Sequence, residues 1–139
     1  MLGRKGKDIT FEDLKGLKAE GYIRDSTRDQ AEGFGPDAQR HAIQQFARLY
    51  GLGLGEAWYT DFVSGRSTIK RQGFLKAVSD AEDNHYDVLL VYHTSRFARN
   101  RADAIRYKER LRSLGKSIIF VYQGIISGRS GHFLSEGIH

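Results

Sequence analysis

Two kinds of apolar pattern alternate along the chain from Gly21 onward. Tyr86-Asp-Val-Leu-Leu-Val-Tyr92 and Ser117-Ile-Ile-Phe-Val-Tyr122 are near-continuously apolar, as strands covered on both faces of a parallel sheet are. A shorter strand begins at Tyr22-Ile23 and ends in a polar turn, and Ala57-Trp-Tyr-Thr-Asp-Phe62 reads as another. Between these runs the apolar positions fall three or four apart. Pro36 opens a helix with Ile43, Phe46, Ala47 and Tyr50 on one face, and Gly51 stops it. Phe74, Leu75, Val78 and Ala81 mark a second helix. Asn100, with Asp103 three residues on, starts a third, whose stripe is Ala104, Tyr107, Leu111 and Leu114 and whose end is Gly115. A β-α-β-α-β-α-β order predicts an α/β fold. Its central sheet is mostly parallel, with right-handed crossovers and helices on both faces.

The ends read differently. Residues 1–19 are polar and rich in Gly and Lys, with a short helix over Ile9–Leu17, and are expected to form a loosely ordered extension. Residues 20–139 then make one domain, long enough to bury a core. A Gly/Ser loop follows Tyr122, and Phe133–His139 resembles the first turns of a truncated helix. No internal repeat interrupts this layout.

Charge and composition narrow the class of partner. A net charge of +5 and a pI near 9.6 favour an anionic partner, most simply nucleic acid. The absence of cysteine excludes disulfides, thiol catalysis and cysteine-based zinc sites. No apolar run reaches membrane-spanning length and the amino terminus has no signal-peptide core, so the expectation is a cytoplasmic protein with no membrane partner.

The polar residues that carry chemistry cluster just after strand ends. Tyr22-Ile-Arg-Asp-Ser-Thr-Arg-Asp-Gln30 places Arg24 and Ser26 on one side of a strand and Asp25 on the other. A hydroxyl beside a guanidinium suits attack on a phosphate, because arginine matches phosphate oxygens bidentately and stays charged. Taken alone, the cluster reads more readily as a Ser-Thr turn with a solvated arginine. Ser64-Gly-Arg-Ser-Thr-Ile-Lys-Arg-Gln-Gly73 follows the second strand, and by itself describes a surface loop. Arg96-Phe-Ala-Arg99 follows the third; its cations oppose the dipole of the helix they precede. His93 is either a strand-end surface histidine or a general base. The run Asp80-Ala-Glu-Asp83 reads as a solvated helix face. No carboxylate pattern fits a two-metal cage, which disfavours metal-assisted hydrolysis. In a parallel sheet the strand ends share one edge, where Arg24, Arg96 and Arg99, with Arg71 as a fourth, can surround one phosphodiester.

Taken together, Tyr-x-Arg-x-Ser-Thr-x-x-Gln, then Ser-Gly ahead of Arg-x-Gly, then Arg-x-x-Arg-Asn after an apolar strand resemble the catalytic domain of the serine site-specific recombinases: the resolvases, invertases and large serine integrases. The resemblance covers Gly21 to about His139, and Asp61-Phe-Val-Ser-Gly65 is like the larger integrases. It implies that Ser26 is the nucleophile that joins a DNA 5′-phosphate, that Arg24, Arg96 and Arg99 bind and activate that phosphate, and that Gln30, Ser64 and Arg71 support the site. It implies double-stranded DNA as substrate, no cofactor and no metal. It also implies self-association as a dimer, and as a tetramer when two sites are synapsed, with a separate DNA-binding region beyond residue 139.

Two features depart from the family pattern. Ser95 stands where the family usually carries an aspartate, and the step from Ser64 to Arg71 is one residue longer than in the small resolvases. The rival reading is a non-catalytic domain of the same fold that contacts DNA backbone or protein.

Overall fold

Lys18–Ser26 forms the strand around which the sheet is assembled, β1. The computed structural model describes residues 10–26, 33, 35–63, 71–93, 101–122 and 125–127. The other strands are β2 (Gly53–Leu54), β3 (Tyr59–Val63), β4 (Val88–Val91), β5 (Ser117–Phe120) and β6 (Ile125–Ser127). One edge of β1 pairs in parallel with β2 and then β3; its other edge pairs in parallel with β4, beyond which lie β5 and an antiparallel β6. The sheet is mostly parallel, as its apolar runs predict, and β4 and β5 are buried throughout.

Helices cover both faces. Helix α1 (Pro36–Tyr50) has Pro at its start, where a missing N–H costs nothing, and ends at Gly51 in the left-handed region (φ 72°), whose N–H bonds the Ala47 carbonyl. Its buried Ile43 and Ala47 meet Ala19, Val88, Leu90 and Ile119. Helices α2 (Gln72–Glu82) and α3 (Arg101–Ser113) cover the other face, where Phe74, Ala77 and Leu111 pack with Tyr22, Leu89, Val91 and Phe120.

Several expectations need correction. β1 starts at Lys18, so the expected boundary at residue 19 falls inside it. Part of the supposed loose extension is packed: Phe11–Leu14 makes a 3-10 turn, Leu14 is fully buried, and the Phe11 ring stacks on Tyr50 at 4.9 Å. Residues 1–9 and the expected helix start at Phe133–His139 lie outside the described residues. The Gly/Ser stretch after Tyr122 contains β6. Leu75, expected on the buried stripe of α2, is exposed, and the place goes to Ala77. Asp80, expected in solvent, is buried: the Tyr59 hydroxyl donates to it at 2.6 Å and Lys76 pairs with it at 3.2 Å.

The two-strand edge beside β1 also has a local cause. Ala19 pairs with Leu54 but Tyr22 pairs with Tyr59, so the partner segment carries extra residues that leave the ladder. The Glu20 carboxylate enters that gap and accepts the Ala57 N–H at 3.0 Å. Trp58, with a positive φ of 43°, lays its ring on Gly21; a Cβ there would sit 2.4 Å from a ring carbon.

Candidate active site

Register brings the first polar cluster to the carboxyl edge of the sheet. Arg24 is opposite Asp61, and Ser26, the last residue of β1, is opposite Val63. Tyr22 pairs with Val91, and Val91 with Phe120, so two residues further on Arg24, His93 and Tyr122 follow one another across the edge. The His93 and Tyr122 rings lie 5.5 Å apart, and Tyr122 also packs on Tyr92 at 5.3 Å. Arg24 is half-buried. Its carbonyl accepts the Gln39 side-chain amide at 3.0 Å, and Gln39 is itself fully buried. Helix α1 thus clamps the backbone just before Ser26.

Behind Arg24 runs a chain of polar contacts. The Asp61 carboxylate accepts the N–H groups of Gly73 at 2.7 Å and Phe74 at 3.0 Å, capping α2 from a neighbouring strand, where a negative charge also suits the helix dipole. The Tyr22 hydroxyl donates to the same carboxylate at 2.7 Å and accepts from Arg71 at 3.1 Å. Burial, foremost, pushes the Tyr22 hydroxyl well above its ordinary ionisation range; Arg71 opposes this and Asp61 adds to it. The hydroxyl therefore stays protonated and able to donate. Gly73 is required where α2 meets β3, since a Cβ would lie 2.5 Å from the Thr60 carbonyl oxygen.

Arg71 is the only expected supporting residue among the described residues. It is buried, at the N-cap of α2, with its backbone in the left-handed region (φ 53°, ψ 41°). Its guanidinium carbon lies 4.3 Å from the Tyr107 ring centre, 4.7 Å from Phe74 and 5.7 Å from Tyr22. Arg96, Arg99, Gln30 and Ser64, together with Ser95, lie outside the described residues, as does the side chain of Ser26. The structure thus brings together Arg24, the end of β1 and the Asp61–Tyr22–Arg71 chain. Gln39 escaped the sequence reading, and Tyr107 was read only as part of the buried stripe of α3, not as a partner of Arg71. Gln39 had a signal: it is in phase with Ile43 and Ala47, a polar residue on an apolar stripe.

A parallel sheet covered on both faces, with a serine and an arginine where its central strand ends, defines a doubly wound α/β protein with a candidate phosphate site at the carboxyl edge. Comparison with known proteins makes this specific. The family model described as "Resolvase, N terminal domain" matches residues 19–136, and the chain belongs to that family. No curated protein sequence matches it. Among solved structures, the N-terminal catalytic domain of TP901-1 integrase shares its fold, with a TM-score of 0.69 at 24% identity, over 87% of this chain and 88% of that one. A resolvase family site-specific recombinase from Streptococcus pneumoniae has a TM-score of 0.67 at 27% identity, over 86% and 82% of the two chains. The catalytic domain of ISC1926 TnpA, an IS607-like serine recombinase, has 0.62 at 27%, over 82% and 73%. The protein is therefore a serine recombinase catalytic domain at the level of family. Among the described residues no helix is long and apolar enough to cross a membrane.

Proposed function

We propose that this domain cuts and rejoins DNA at specific sites through a covalent phosphoserine. The Ser26 hydroxyl attacks a backbone phosphorus in line. The bond from phosphorus to the 3′-oxygen breaks, the 3′-hydroxyl leaves with a proton, and a 5′-phosphoserine ester keeps the bond energy. The 3′-hydroxyl of a new partner strand then reverses the step and releases Ser26. Arg24, Arg96 and Arg99 bind the phosphate and stabilise the charge on its oxygens in the transition state. Gln30, Ser64 and Arg71 support them. Neither metal nor nucleotide enters the step. Double-stranded DNA is the substrate, and dimers that pair into tetramers supply the partner strand.

The observation that carries this reading is the placement of Arg24 and Ser26 at the carboxyl end of the central strand, within a chain whose family is that of resolvases. Trapping tests it. Incubation with a cognate crossover site in excess chelator gives a denaturant-resistant protein–DNA adduct, and Ser26→Ala abolishes the adduct while DNA binding persists. An adduct that survives in Ser26→Ala, or that maps to a tyrosine, overturns the assignment. DNA binding with no adduct in the wild type indicates a non-catalytic domain of this fold.

A further inference from the structure

Arg71 is 9% exposed and enclosed by three rings, with an N–H committed to the Tyr22 hydroxyl. A phosphate ligand needs an N–H edge that the phosphate can reach, ideally two parallel N–H groups, and a guanidinium buried among rings offers none at the surface. Its contacts come from separate parts of the fold. Tyr22 lies on β1, two residues before Arg24; Phe74 lies on α2; Tyr107 lies on α3. The Phe74 and Tyr107 rings also touch, at 4.6 Å between centres. Helix α3 is the element entered directly from the Arg96–Arg99 segment. A guanidinium between these rings therefore links the strand that carries Arg24 and Ser26 to the helix that follows the other two arginines. The left-handed backbone at Arg71 points the same way: glycine takes that conformation without strain, so the side chain must supply what offsets it.

We propose that Arg71 is a positioning residue and not a phosphate ligand, and that the face of Tyr107 is what holds it. This rests on the recombinase reading for what is positioned, namely Arg24 and Ser26 against Arg96 and Arg99. Tyr107 fixes the plane of the guanidinium, the guanidinium fixes the Tyr22 hydroxyl, and Tyr22 fixes the level of β1. It is the face of the Tyr107 ring that meets the guanidinium, so phenylalanine, which keeps that face, is expected to replace tyrosine and leucine is not.

Three measurements on the chain decide the matter. In the first, the Arg71 guanidinium N–H signal is followed by NMR, shifted by ring currents, while random duplex DNA is added at low salt. Arg24 moves and Arg71 does not. In the second, the salt slope of DNA binding is the same in Arg71→Gln and Arg71→Lys as in the wild type, whereas loss of a phosphate contact lowers it by about one unit. In the third, the rate of adduct formation at saturating DNA falls by about tenfold or more in Tyr107→Leu, with half-saturation unchanged. Tyr107→Phe restores the rate, and adding Arg71→Gln to Tyr107→Leu lowers it no further. A DNA-induced shift of Arg71, a lost unit of slope, or full activity in Tyr107→Leu each overturns the proposal. If the wild type forms no adduct, the reading of Ser26 fails separately, and the shift and the slope still decide whether Arg71 meets phosphate.

Discussion

The backbone of Arg24 is held from two sides. The Gln39 amide fixes its carbonyl, and pairing with Asp61 fixes its level in the sheet. This part of the site is legible from sequence, because strand alternation alone sets which residues share a side. The Gln39 clamp is not, since it joins residues on different elements and depends on how α1 crosses the sheet. The cage around Arg71 is hidden for the same reason: Tyr22, Phe74 and Tyr107 have no common periodicity. Arg96 and Arg99, on the proposed mechanism, act on the transition state. Replacing either with lysine keeps the charge but loses the planar fork. Cleavage is expected to fall by about 10²-fold, by analogy with the loss of one oxyanion donor, while DNA affinity changes little. Normal cleavage rates in both variants reduce these arginines to surface charge.

At the scale of elements, the junction of β3 and α2 depends on one carboxylate. Asp61 receives two backbone N–H groups and the Tyr22 hydroxyl. Asp61→Ala removes a helix cap and leaves a buried hydroxyl without its acceptor. The expected cost is about 2–4 kcal/mol in denaturant unfolding, combining a cap with an unsatisfied buried group. Asp61→Asn, which keeps an acceptor oxygen, is expected to lose less. An alanine variant as stable as the wild type disproves the cap. Helices α1 and α3 are readable because their apolar periods are long and end at Gly51 and Gly115, α2 by its period alone, and β4 and β5 because their apolar runs are nearly continuous. β2 and β6 are not: two and three residues carry no period, and each exists only because a neighbouring strand offers an edge. Asp80 misled for a related reason. A run of charges reads as solvated until the tyrosine that reaches it, Tyr59 on another element, is known.

For the molecule as a whole, two buried carboxylates set opposite pH responses. Burial is the largest single influence on Asp80 and pushes its carboxyl up, but the Tyr59 hydroxyl and Lys76 together outweigh it and hold the group below its usual 3.8. Its stabilisation is present above 3.8 and is lost as pH falls through the lower folded value. Glu20 is shifted the other way, burial raising it above 4.5 against the Ala57 N–H, so acidification through that raised value down to 4.5 adds stability. Over the acid range that runs from the raised Glu20 value, through the ordinary 4.5 and 3.8, to the lowered Asp80 value, Asp80→Asn is therefore expected to lose less stability than the wild type, and Glu20→Gln to lose more. Equilibrium unfolding across that range checks both signs, and identical acid limbs in all three proteins refute the scheme.

Charge at this scale also bears on DNA. With a net charge of +5, binding to random duplex is expected to be weak and without sequence preference, because backbone contacts carry no base information. If Arg24, Arg96 and Arg99 are its phosphate contacts, log affinity falls against log salt with a slope of about −3. Titration at two salt concentrations measures it. A clear preference for a cognate site at the higher salt shows that these residues read bases as well as phosphates.

The central place of β1 governs how the chain must fold as it is made. β1 ends at Ser26, yet one of its edges waits for β4, which is complete only at Val91. At roughly 5–20 residues per second, that interval is on the order of 3–13 s on the ribosome. During it, Tyr22 and Ile23, fully buried in the finished protein, have half their sheet missing, and the exposed edge can template pairing with another nascent chain. Pairing with β3 comes first and covers the opposite edge, so a β1–β3–α2 unit capped by Asp61 is the earliest piece able to hide that strand. The contact that keeps the proposed phosphate site in register thus also shelters the nascent chain from aggregation before the second half of the sheet exists.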